Sequence, residues 1–150
     1  MNFYKYTTLF TALFVSIIDI TSKNWAQHTL ENNDILLFGS AQFTLKYNHG
    51  IAFSLPLTGT LQIIVTLFFL CYFLYWIHTQ FQWKYALTSI GSGMVFGGAI
   101  GNMTERVTEQ GVTDFIQVTS WSPVFNLADS FIFIGVCCIL FFEWKYNTQQ

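Results

Sequence analysis

The sequence predicts an all-α membrane protein of four transmembrane helices, with a small β-like segment at the membrane surface between the first two. Three observations carry this reading. Of the 150 residues, 53% are hydrophobic and 19% aromatic, with a mean hydropathy of +0.44, too apolar for a soluble domain of this length. Four segments approach the roughly 20 mostly apolar residues that a bilayer core requires. Trp25, Trp76, Trp83, Trp121 and Trp144 fall at or near the ends of those segments, as an interfacial aromatic belt requires.

The first helix is expected over about 7–23 and carries Asp19 near its end. It lacks a small-x-small exit and ends in Asp19 and Lys23, so it reads as a retained helix and not a cleaved leader. The following 35 or so residues are polar, and within them Ala41, Phe43, Leu45 and Tyr47 alternate with Gln42, Thr44, Lys46 and Asn48. That period of two predicts a half-buried strand. Gly50, Pro56 and Gly59 break the chain before a second, almost purely apolar helix over about 61–77. The third helix, about 85–103, holds Gly93, Gly97 and Gly101 at intervals of four with Gly98 alongside, a seam that lets another backbone approach closely in lipid. The fourth is expected over about 124–144, with Asp129 in its first turns. One domain accommodates the whole length.

Several function classes fall away. A net charge of −2 with six basic residues offers no basic patch for nucleic acid. Cys71, Cys137 and Cys138 lie in apolar runs at a spacing that matches no zinc or redox motif, and read as packing or lipid-facing thiols. His28 and His78 have no second ligand at metal spacing. No metal and no cofactor is expected.

What remains is a polar site. Four crossings bring Asp19, Lys23, Asn48, Asn102, Arg106, Asp114, Asn126 and Asp129 to one membrane face, leaving only Lys5, His78, Lys84, Glu143 and Lys145 as ionisable groups on the other. Lys and Arg divide three to three between the faces, so their count does not orient the protein. Asp114 and Asp129 each sit in apolar company, where a carboxylate is costly to desolvate and is retained for a reason. Two acids converging in a half-dry site form a pair that can share one proton. A helix beginning near Pro123 would place Asn126 and Asp129 on one face. Each residue also has a plainer account. Asp114 could pair with Arg106 or Lys23, Asp129 could serve the helix dipole, and Asp19 and Lys23 stand four apart as an ordinary ion pair. Arg106 could pair with Glu105, Glu109 or Asp19, or could hold a phosphate or a substrate carbonyl. Asn102 and Asn126 could cap or cross-link helices. His49 reads as an exposed turn.

The chain resembles the bacterial lipoprotein signal peptidases (signal peptidase II) along nearly its whole length. The resemblance rests on Asp19-Ile20-Thr21-Ser22-Lys23, Asn48-His49-Gly50-Ile51-Ala52-Phe53, Gly97-Gly98-Ala99-Ile100-Gly101-Asn102 running on to Arg106, Val112-Thr113-Asp114-Phe115-Ile116, and Phe125-Asn126-Leu127-Ala128-Asp129-Ser130. It implies an aspartic endopeptidase of the cytoplasmic (inner) membrane that cuts prolipoproteins before a diacylglyceryl-modified cysteine. It implies Asp114 and Asp129 as the catalytic pair, with Asp19, Lys23, Asn48, Gly50, Asn102, Arg106, Asn126 and Ala128 around them. It also implies cytoplasmic termini, an extracytoplasmic site and β-like segment, and contact with membrane lipids. Two positions depart from the family pattern: Ile20 stands where Gln is common, and Glu105 replaces the usual Asp before the motif arginine.

Such a pair needs no metal and forms no acyl-enzyme: one carboxylate takes a proton from water while the other acid donates to the carbonyl oxygen. A proton-coupled carrier would instead need acids near mid-membrane and some repeat symmetry. A non-catalytic assembly subunit would tolerate loss of either Asp. Peptidase ranks first, carrier second and subunit last, and a monomer is expected.

Overall fold

The computed structural model describes residues 2–50, 60–80, 85–108 and 111–147. Pro56, Gly59, Trp83, Lys84, Glu109 and the Ile51-Ala52-Phe53 portion of the second motif lie outside the described residues. The elements in chain order are α1 (Asn2–Thr29), β1 (Ile35–Phe38), β2 (Ala41–Asn48), α2 (Thr60–Gln80), α3 (Ala86–Thr108), β3 (Val112–Gln117) and α4 (Leu127–Asn147).

Among the described residues α1, α2 and α4 are each long and apolar enough to cross a membrane. α3 is the fourth helix, and it is less apolar because it turns little surface to lipid. Thr88, Ser89, Gly91, Ser92, Gly93, Gly97, Gly98 and Gly101 are all buried in it. Its glycines form two seams. A Cβ on Gly93 would stand 2.7 Å from the Thr8 carbonyl oxygen, and one on Gly97 would stand 2.5 Å from that of Ala12, so these two seat α1. A Cβ on Gly91 or Gly98 would meet the Gly135 or Ala128 carbonyl at 2.8 or 2.6 Å, so these seat α4. Close approach lets hydroxyls cross between helices: Thr8 Oγ1 donates to the Ser89 carbonyl and Ser16 Oγ to that of Gly97, each at 3.0 Å. α2 is attached more loosely, with only Gln62 and Ile77 buried.

Three of the four helices outrun their hydropathy, and the fourth is shifted along the chain. α1 continues to Thr29 and not to about 23, because Lys23 does not end the helix at water: it is 1% exposed and satisfied inside the bundle. α3 likewise continues past 103 to Thr108, carrying Glu105 and Arg106. α4 starts at Leu127, later than 124, because Phe125 is still engaged with a strand.

The predicted strand is β2, and it is the centre of a three-stranded antiparallel sheet ordered β1-β2-β3. β3 lies in what reads from sequence as a connecting loop. Its alternation is invisible because Val112, Thr113, Asp114 and Phe115 are all buried, on both faces of the strand. The sheet sits over the end of α1. Phe115 packs with Ala26 and Leu30, joined by Phe43, Leu45, Ile116 and Leu127, and Trp25 meets Phe43 and Phe115 edge-on at 5.5 and 6.2 Å.

Candidate active site

α4 begins where the chain leaves β3. Phe125 and Ile116 exchange backbone hydrogen bonds of 2.8 and 3.0 Å, so Asn126 is the first residue able to cap the helix. Its Oδ1 accepts the Asp129 N–H at 2.9 Å, the contact for which Asn is favoured at a helix start. The Asp129 carboxylate reaches back toward the Asn126 N–H, at 3.5 Å, in the manner of a capping box. The Ala128 N–H donates to Asp19 Oδ1 at 2.8 Å. Ala128 is fully buried against Gly98, which explains a small residue there. Thus α1, α3 and α4 meet where Asp129 emerges.

β3 supplies the second acid. The register sets Asp114 opposite Lys46, and its oxygens take two amides: Asn126 Nδ2 donates to Oδ1 at 2.7 Å and Asn48 Nδ2 to Oδ2 at 3.1 Å. Asn48 is itself fixed by a turn, its Oδ1 accepting the Gly50 N–H at 3.0 Å. The Gly50 carbonyl accepts Gln62 Nε2 at 2.7 Å, which ties the start of α2 to this corner.

Lys23 orients the remaining amide. Its Nζ lies 2.7 Å from Asp19 Oδ2 and 3.1 Å from Glu105 Oε2, and donates to Asn102 Oδ1 at 2.8 Å. An ammonium can only donate, so Asn102 must present its oxygen to Lys23 and its Nδ2 to Asp129 Oδ1, which accepts at 2.9 Å. Asn102 Oδ1 also accepts from Asn126 Nδ2 at 3.2 Å. Asn126 therefore touches both acids, donating to Asp114 and accepting the N–H of Asp129.

The two acids differ in setting. Asp114 is 3% exposed, whereas Asp129 is half-buried. Burial pushes the Asp114 carboxyl up from 3.8 to about 7, and the charge of Asp129 adds to this, while the amides of Asn48 and Asn126 and the charge of Lys23 oppose it. Asp114 thus holds a proton near neutrality beside a second carboxylate, which is the condition for acid and base to act together.

All ten site positions read from sequence gather at this end of the bundle. The Asp19–Lys23 ion pair is present. Asp114 forms no salt bridge with Arg106 or Lys23 among the described residues; its oxygens accept the amides of Asn48 and Asn126. Nor does Arg106 pair with Glu105 or Asp19, which are both drawn to Lys23. Its guanidinium lies within electrostatic reach of Asp129 and Asp114, and its Nε is buried with no hydrogen-bond partner among the described residues. Ile20 is on the exposed surface of α1. Sequence reasoning passed over Gln27, Gln62 and Thr113. Gln27 alone left a trace, since Asp19, Lys23 and Gln27 recur every fourth residue along one helix face.

The family model described as signal peptidase (SPase) II matches residues 11–145. The lipoprotein signal peptidase of Dichelobacter nodosus is 35% identical over 150 residues, covering 95% of this chain and 97% of that one. That of Bartonella bacilliformis is 35% identical over 138 residues, covering 85% and 81%. A solved bacterial membrane enzyme, determined by the in meso method at 2.3 Å, superposes with a TM-score of 0.82 at 27% identity, covering 96% of this chain and 91% of that one. Another, at 1.9 Å, gives 0.77 at 29% identity, covering 90% of each.

Proposed function

This chain belongs to the signal peptidase II family of bacterial membrane proteases, and from that premise we propose that Asp114 and Asp129 form the catalytic pair. The substrate is a diacylglyceryl-modified prolipoprotein, cut just before its lipidated cysteine. The observation that supports the reading is the amide cluster of Asn48, Asn102 and Asn126, whose hydrogen bonds link both acids, with Asn126 bonded to each.

The pair divides its work by burial. Asp114 carries the shared proton, and the more open Asp129 is the carboxylate that accepts a proton from water as its oxygen attacks the scissile carbonyl. Asp114 donates its proton to the developing oxyanion, giving a neutral tetrahedral intermediate. Collapse breaks the C–N bond, the hydroxyl proton returns to Asp114, and the leaving amine takes the proton that Asp129 holds. The pair ends as it began, with no covalent enzyme intermediate. Arg106, whose Nε has no partner among the described residues, faces the substrate carbonyl or lipid headgroup. The protein works as a monomer among the lipids of the cytoplasmic membrane, with this end outward.

The test is cleavage of a diacylglyceryl prolipoprotein by purified protein in detergent, beside Asp114→Asn and Asp129→Asn. Each substitution keeps size and removes the ionisable group, so each is expected to lower turnover by at least about 10²–10⁴-fold. Folded variants that cut at the native rate would remove the assignment.

A further inference from the structure

One buried carboxylate takes no part in the chemistry above. Glu105 is 7% exposed and stands on α3 next to Arg106. Its Oε2 accepts the Thr113 N–H at 3.0 Å and lies 3.1 Å from Lys23 Nζ. Its Oε1 accepts the Thr113 hydroxyl at 2.6 Å and Gln27 Nε2 at 3.4 Å. Gln27 Nε2 in turn donates to Thr113 Oγ1 at 2.8 Å. Thr113 is fully buried and immediately precedes Asp114.

We infer that Glu105 is a positioning residue for Asp114: its carboxylate grips Thr113 by both N–H and hydroxyl and fixes β3 against α1 and α3 at the acid's own doorstep. The chemistry of the partners requires a carboxylate. Lys23 ammonium, Thr113 N–H, Thr113 hydroxyl and Gln27 amide all donate, and only an acceptor-only group satisfies four donors at once. Length matters too. An Asp at this position, the residue usual in the family, is one methylene shorter and would carry its carboxylate less far from the α3 backbone toward Lys23 and Thr113. Lys23 joins the arrangement to the other acid, since the same ammonium orients Asn102 toward Asp129. One ion-pair cluster therefore sets both carboxylates, through Thr113 on one side and Asn102 on the other.

The inference rests on Asp114 being catalytic, and the experiment separates the two. Steady-state cleavage of a diacylglyceryl prolipoprotein is measured for the native protein, Glu105→Gln, Glu105→Asp, Thr113→Val, Thr113→Ser and Asp114→Asn, with thermal unfolding to confirm folding. Glu105→Gln turns an amide N–H toward a donor and should lower kcat by about 10–10²-fold, the scale of an ångström's misplacement, with KM within about threefold. Glu105→Asp keeps the charge and should fall between this and the native protein. Thr113→Val, which removes only the hydroxyl, should lower kcat several-fold, and Thr113→Ser should restore it. Hydrogen exchange of the Thr113 amide should quicken in Glu105→Gln. A folded Glu105→Gln with native kcat, or with a raised KM alone, overturns the inference. Should that variant fail to fold, native kcat in Thr113→Val overturns it instead. Native turnover in Asp114→Asn would sink the catalytic pair itself, whereas an inactive Asp114→Asn beside an unimpaired Glu105→Gln sinks the positioning role alone.

Discussion

At the scale of single residues the site is governed by which atoms can only donate and which can only accept. Lys23 is the clearest case, with its three hydrogens directed to Asp19, Glu105 and Asn102. Removing one partner of a buried ion cluster leaves the others uncompensated, so Lys23→Met is expected to destabilise the fold by about 3–5 kcal/mol, measured by denaturation in detergent. Asp114 gives the pH dependence. Its carboxyl in the folded protein holds a proton up to about 7, well above 3.8. Activity that needs this proton is present below about pH 7 and should fall roughly tenfold per unit above it, a limb to be read from kcat against pH. Stability has the same sign: the proton's contribution is complete below 3.8 and is lost as pH rises through about 7.

At the scale of elements, α3 is the piece to which the others are fitted. Its small residues replace side-chain packing with backbone proximity, and the prediction follows from distance. Gly97→Val would drive a Cβ to 2.5 Å from the Ala12 carbonyl, and overpacking of this kind costs about 1–3 kcal/mol or more. Ile64→Val, on the exposed surface of α2, should change stability by no more than about 0.5 kcal/mol, and a thermal melt compares the two. Much of this level could be read in the sequence. The four helices were marked by apolar length, the seam by glycines four apart, and β2 by its alternation. β3 was hidden because burial on both faces removes the period of two. The two acids stood out as carboxylates in apolar surroundings, but the function of Thr113 and Gln27 did not. Those side chains are ordinary polar groups whose meaning comes from a meeting across 86 positions of chain, and no local pattern encodes that meeting.

At the scale of the whole molecule, the polar side chains gather at one end and the lipid-facing surface runs around the rest. If this end faces outward, as proposed, Lys46→Cys, on the exposed part of β2, should react with a membrane-impermeant maleimide in intact cells. Gln80→Cys, at the opposite end of α2, should react only after permeabilisation, both in a background with Cys71, Cys137 and Cys138 replaced by Ser. The reverse pattern would turn the protein over in the membrane. The order of elements along the chain has a further consequence for biosynthesis. Asn48 and Asn102, with Lys23 and Glu105, all precede residue 111, whereas Asp114 and Asp129 both follow it. A ribosome that has delivered three helices has thus supplied Lys23, Asn48, Asn102 and Glu105 but neither acid, nor the Asn126 that touches both. On the proposed assignment of Asp114 and Asp129, hydrolytic competence arrives only with the last stretch of translation, and a nascent chain stalled before it is expected to be inert toward neighbouring polypeptides.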